Sequence, residues 1–189
     1  MAVYNNINPL VYDSIQECLD MAKNCLDKPK NGNTNACYGM PAAILLCSAM
    51  DAIGSFFDSQ TDNGQFKSHN EDLTGLRNGH HLKVFYSNFE PMFTGKYEIS
   101  KDNFSAIFIR IRNNCVHNNG LLSDVFLRKG GETLLKKEGE NSYLNLELLH
   151  EFVSSCFNEF KNEHPLNNSY SKDENGYTGD TITQIESCI

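Results

Sequence analysis

Pro41-Ala42-Ala43-Ile44-Leu45-Leu46-Cys47-Ser48-Ala49-Met50-Asp51-Ala52-Ile53-Gly54-Ser55-Phe56-Phe57 is apolar almost all round a helical wheel. A helix without a polar face is one that its neighbours must surround. Proline is tolerated at a first helical position, where its missing N–H has no partner in any case, so Pro41 opens a helix over 42–57. This helix is expected at the centre of the fold. Asp51 is its exception. A carboxylate buried alone is costly, so Asp51 must meet solvent, a polar partner or a site.

Upstream, Ile15, Cys18, Leu19, Ala22, Cys25 and Leu26 recur at three and four and predict an amphipathic helix over 14–26, with Ser14 and Glu17 as a capping box. Residues 27–35, with Pro29 and Gly32, read as a loop, and the polar, Gly-containing run 59–80 as a long surface connection. Leu82, Phe85, Tyr86 and Phe89 predict a short helix that stops near Pro91. After Ser100, with Asp102 in the first turn, Phe104, Ile107, Phe108, Ile111 and Cys115 follow a helical period. Residues 125–127, Gly130-Gly131 and 133–135 suggest a small β-hairpin or irregular insertion near 121–140. A last amphipathic helix carries Leu146, Leu149, Phe152, Val153, Cys156, Phe157 and Phe160 on one side. The expected architecture is all-α: an up-and-down bundle of four to five helices over 1–163, followed by a polar, poorly ordered tail over 164–189.

With 189 residues and a 40% hydrophobic share the chain can close one core. Its formal charge of -8 repels phosphate over most of the surface, so any contact with RNA must be local. The seven cysteines are scattered and form no CxxC pair, a pattern of reduced, buried thiols. The first residues lack the basic and apolar regions of a secretion signal, and no apolar run approaches the roughly 20 residues of a membrane span. A cytoplasmic protein with no membrane contact is expected. Internal repeats, a Walker loop, a dinucleotide glycine fingerprint and a nucleophile elbow are absent from the sequence.

Chemistry concentrates in Arg112-Asn113-Asn114-Cys115-Val116-His117, at the end of a predicted helix and followed by Asn118-Asn119-Gly120. A permanently charged guanidinium and an imidazole that titrates near neutrality are the groups needed to cleave a phosphodiester without a metal. On one α-helix, residues five apart point about 140° away from each other, so Arg112 and His117 do not pair by themselves. Asn113 shares the His117 face, and Arg110 lies two turns before it. Two such helices meeting across a twofold axis would bring the arginine of one chain to the histidine of the other. Arg110, Arg112, Arg128 and Lys129 form a candidate basic strip beside that cleft. The same run has a purely structural reading: His117 complements the helix dipole, and Asn118-Asn119-Gly120 makes a left-handed cap. His80 and His81 are adjacent in a predicted loop, poor geometry for chelation even with His69, so no metal site is expected. Arg77-Asn78-Gly79-His80 reads as a turn, and His150 as a surface or half-buried residue of the last helix.

The run 112–117 resembles the R-(N/D/H)-x-x-x-H motif of the HEPN superfamily (higher eukaryotes and prokaryotes nucleotide-binding), small helical domains in which the motif ends a core helix. The resemblance covers roughly residues 10–163. It implies a homodimer whose two motifs line one cleft, and in many members metal-independent endoribonuclease activity on single-stranded RNA. Arg112 would then neutralise the scissile phosphate. His117 would serve as general base to the 2′-OH or general acid to the leaving 5′-oxygen, one copy per role. Asn113 would orient the imidazole or hold a phosphate oxygen, and Arg110, Asn114 and Asp51 would contact substrate. The products would be a 2′,3′-cyclic phosphate and a 5′-OH, with no metal or cofactor. The setting would be that of a toxin or phage-defence protein with an antitoxin partner. One subset of the family carries a tyrosine two positions after the histidine, the target of adenylylation; Asn119 stands there in this chain. The alternative is a non-catalytic module of the same fold that holds a nucleotide or a partner protein, with Arg112 as an anion contact. A third reading makes the motif a brace of the dimer interface.

Overall fold

In a computed structural model, which describes residues 9–33, 37–59, 80–117, 124–163, 171–173 and 176–178, helix α1 (Pro9–Asp27) packs along helix α2 (Gly39–Ser59). Helix α3 (His80–Lys96) lies against α2 as well. Ala42, Ala43, Leu46, Cys47, Ala49, Met50 and Ile53 of α2 are all buried, as its composition requires. α1 begins earlier than Ser14, at Pro9, where a missing N–H is harmless. The Ser14/Glu17 pair therefore lies inside the helix instead of capping it.

Pro91 does not end α3. The helix kinks at Phe89 (φ -112, ψ 17) and runs on to Lys96. The break places Pro91 in the first turn of the second segment, where the hydrogen bond it cannot make is not needed. Phe93 in that segment is fully buried, with Phe152 at 4.3 Å and Tyr86 and Phe104 at 4.9 Å between ring centroids. These aromatic rings join α3 to the elements that follow it in the chain.

Helix α4 (Lys101–Phe104) passes without a break into a π-helical turn (Ser105–Ile109) and then into helix α5 (Arg110–His117). The wider turn explains a run that a 3.6-residue period does not predict: Ile107, Phe108 and Ile109 are consecutive and all buried. It also resets the face that α5 presents to α2.

The all-α expectation is overturned by a three-stranded mixed sheet of strands β1 (Val125–Arg128), β2 (Leu135–Glu138) and β3 (Asn141–Asn145), in the order β1-β3-β2. β1 runs parallel to β3 from Val125↔Ser142 to Arg128↔Asn145, and β2 pairs with β3 in antiparallel register from Leu135↔Leu144 to Glu138↔Asn141. Only two residues, Gly139 and Glu140, connect β2 to β3, and Gly139 has φ 61. A two-residue hairpin loop needs a positive φ, which glycine supplies without strain. The hairpin therefore lies at 135–145 instead of within 121–140, and its second strand runs directly into helix α6 (Leu146–Glu163). Leu144, Leu146, Leu149, Phe152, Val153, Cys156, Phe157 and Phe160 carry the core across that junction. Within the stretch read as a tail, strands β4 (Ser171–Asp173) and β5 (Gly176–Thr178) pair in antiparallel fashion.

Of the cysteines among the described residues, Cys47 and Cys156 are buried while Cys18, Cys25 and Cys37 are half-buried, and none forms a disulfide. Burial pushes the Cys156 thiol far above its ordinary value, which leaves it inert. His150 is half-buried and contacts the Leu19 carbonyl through Nε2 at 3.1 Å, tying α6 to α1.

Asn145 is fully buried at the junction of β3 and α6. Its Oδ1 accepts from the backbone N–H groups of Glu147 (3.1 Å) and Leu148 (3.3 Å), as a helix cap does. Its Nδ2 donates to the carbonyls of Gly130 (2.9 Å) and Gly131 (3.0 Å), pinning the turn after β1. Asn145→Ala removes the cap and strands two carbonyls, so it is expected to lower unfolding free energy by roughly 2–4 kcal/mol in urea titration. A loss below about 0.5 kcal/mol, the range of ordinary surface changes, would contradict this role.

Candidate active site

The polar residues of α2 fall on one stripe. Ser48, Asp51 and Ser55 are spaced at three and four, so they share a face of a helix that is otherwise apolar. That face forms one wall of a cleft of about 410 Å³, which Cys47 of the same helix, His81 from the first turn of α3 and Arg112 from α5 also line. Asp51 thus has polar partners. Its Oδ2 lies 3.6 Å from Arg112 Nη2 and 3.7 Å from His81 Nδ1.

His81 owes its position to a glycine. A Cβ built on Gly54 would lie 1.9 Å from the backbone oxygen of His81 and 2.7 Å from its carbonyl carbon. Only a residue without a side chain lets the two helices approach this closely. Ser48 Oγ is tied back to the Ile44 carbonyl (3.0 Å), a common helical contact that keeps its polar atom satisfied.

Arg112 is held from two sides. Nη1 donates to Asn113 Oδ1 at 3.2 Å while Nη2 faces Asp51. Asn113 therefore orients the guanidinium. The Arg112 side chain is 28% exposed and that of Asp51 25%. At this exposure and distance the ion pair is worth at most about 1 kcal/mol, so an incoming phosphate oxygen can displace the carboxylate.

Other residues assigned to the site lie elsewhere. Arg110 is about 200° round the helix from Arg112 and pairs with Asp124 at 3.4 Å. The Asn114 amide donates to the Arg110 carbonyl at 2.9 Å. Arg128 donates to the Thr133 carbonyl and hydroxyl, both at 2.9 Å, and Lys129 to the Leu26 carbonyl at 3.0 Å. The basic strip is thus dispersed over separate partners, and of its four members Arg112 alone lines the cleft. α5 stays α-helical to His117, so the backbone keeps Arg112 and His117 on different faces. The His117 side chain, the Asn118-Asn119-Gly120 cap, His69 and the His80 side chain lie outside what the structure describes.

Among the described residues, no group of three His, Cys, Asp or Glu side chains is arranged to hold a metal ion. No helix among them is long and apolar enough to cross a membrane. Comparison with known proteins finds no matching family model, no matching curated protein and no matching solved structure. The geometry of the cleft is therefore the ground for a functional reading.

Gly54→Ala offers a direct test of that geometry. On helix propensity alone the change would stabilise α2 by about 1 kcal/mol, but the clash with backbone forces α2 and α3 apart, a net loss expected to be about 1–3 kcal/mol. Thermal unfolding of the variant checks the sign: a lower melting temperature is expected, and an unchanged or raised one would contradict the close approach.

Proposed function

We propose that this chain is a metal-independent endoribonuclease of the HEPN type, acting as a homodimer on single-stranded RNA. The observation that carries this reading is the setting of Arg112, a pre-oriented guanidinium in the wall of an open cleft and beside groups able to move protons. Arg112 neutralises the charge that builds on the phosphate oxygens during attack by the 2′-oxygen. His117 gives a proton to the departing 5′-oxygen. The helical phase of Arg112 and His117 favours a two-chain arrangement, since a twofold axis brings each arginine to the opposite histidine. A toxin or defence role, with an antitoxin that covers the cleft, belongs to the same reading.

The charge of -8 and the Asp51–Arg112 contact favour a second reading, a module that binds a nucleotide or a protein without turnover. One assay separates the two. Single-stranded RNA incubated with the protein in EDTA is expected to yield fragments ending in 2′,3′-cyclic phosphate and 5′-OH, while the all-deoxy strand stays intact. Arg112→Ala is expected to lower kcat/KM by roughly 10²–10³-fold, and His117→Ala comparably. Intact RNA with wild-type protein, or cutting by either variant at the wild-type rate, contradicts catalysis. Saturable binding without cutting supports the module.

A further inference from the structure

The cleft that Arg112 lines holds an imidazole for which the Arg112/His117 scheme has no role. One carboxylate oxygen, Asp51 Oδ2, faces both His81 Nδ1 (3.7 Å) and Arg112 Nη2 (3.6 Å). Groups from α2, α3 and α5 of a single chain therefore converge at one opening. We propose that His81 is a catalytic acid–base residue of this cleft, oriented by Asp51 and acting on an RNA phosphodiester held by Arg112. The proposal rests on the ribonuclease reading above and adds to it a proton-transfer group that needs no second subunit.

Three observations support a role in chemistry over one in packing. The His81 side chain is 39% exposed and lines an open cleft, whereas a histidine that holds a core together is enclosed. It sits in the first turn of α3, the positive end of the helix dipole, where an imidazolium gains nothing from the helix. Asp51 Oδ2 lies 3.7 Å from Nδ1, where a carboxylate orients the ring of a histidine that transfers protons. The charged or titratable groups lining the cleft with His81 are Asp51 and Cys47 from α2 and Arg112 from α5.

The step balances without a co-reactant. Nδ1 faces Asp51, so proton transfer is assigned to Nε2, which accepts the 2′-OH proton as the 2′-oxygen bonds to phosphorus. The P–O5′ bond breaks, and the 5′-oxygen leaves with a proton from the opposite chain's His117, as in the dimer proposed above. The products are a 2′,3′-cyclic phosphate and a 5′-OH, with no change of oxidation state. The imidazolium on His81 lies against the Asp51 carboxylate until water removes its proton. The Asp51 distance is longer than a hydrogen bond, and such contacts tighten when substrate binds.

The test is the pH–rate profile of His81→Asn on single-stranded RNA, measured beside the Kd for the same strand carrying 2′-O-methyl groups. His81→Asn is expected to lower kcat by roughly 10²–10⁴-fold, leave Kd unchanged and abolish the acidic limb of the profile. Asp51→Asn is expected to weaken the same limb. A merely structural histidine would instead shift Kd and melting temperature together and leave both limbs in place. That outcome, or a variant as fast as wild type, overturns the assignment of His81 while the ribonuclease reading survives. Wild-type protein that leaves RNA intact overturns both.

Discussion

At Gly54 the backbone of α2 comes so near to the His81 carbonyl that a single methyl group would lie 1.9 Å from the oxygen. Much else follows from that approach. It lets the first turn of α3 lie against the central helix, brings His81 within reach of Asp51, and seats Phe85, Phe89 and Phe93 on the core side of the same helix. Ser48, Asp51 and Ser55 are the edge that the surrounding elements leave uncovered. An apolar helix enclosed by its neighbours exposes polar groups only where that enclosure stops, and here the gap is the cleft.

The electrostatics of the cleft are local and finely divided. The chain carries a formal charge of -8, so its long-range field opposes any polyanion, and attraction of one would have to come from a few groups at short range. Asp51 holds Arg112 and His81 in place without burying any of the three. An exposed ion pair of this kind contributes little to stability, which suits a site whose contacts are exchanged when a ligand arrives. Asn113 holds the guanidinium by a contact independent of the carboxylate.

The sequence disclosed the central helix because no polar face interrupts 42–57, and it marked Asp51 because a carboxylate there has to be answered by something polar. Other features were hidden for identifiable reasons. β3 went unread because the hairpin was centred on Gly130-Gly131 and closed by 140; the signals for the strand are the Gly139 turn before it and Asn145, a residue suited to capping, at its end. The π-helical turn was concealed because Ile107 and Phe108 satisfy a 3.6-residue period and only the burial of Ile109 breaks it. Pro91 looked like a terminator, since a kink that turns it into a first-turn residue depends on tertiary packing. His81 was missed because it followed a polar run and its role depends on a helix some 30 residues earlier in the sequence; the Ser48/Asp51/Ser55 stripe was the clue that such a partner was needed. Arg110 drew attention because it lies two turns before His117 on one helix, but a helix sends residues two apart to different sides, and Arg110 pairs with Asp124 away from Arg112.

The central claim is that one phosphodiester binds between Arg112 and His81 across Asp51. Nitrogen-15 NMR of the histidine rings and arginine side chains, during titration with a 2′-O-methyl dinucleotide that cannot be cleaved, examines this most directly. The account predicts that the His81 ring and Arg112 Nε resonances shift together and saturate at the same ligand concentration, and that the His81 response vanishes in Arg112→Ala. A dinucleotide that binds while leaving either resonance in place, or that does not bind at all, would contradict it.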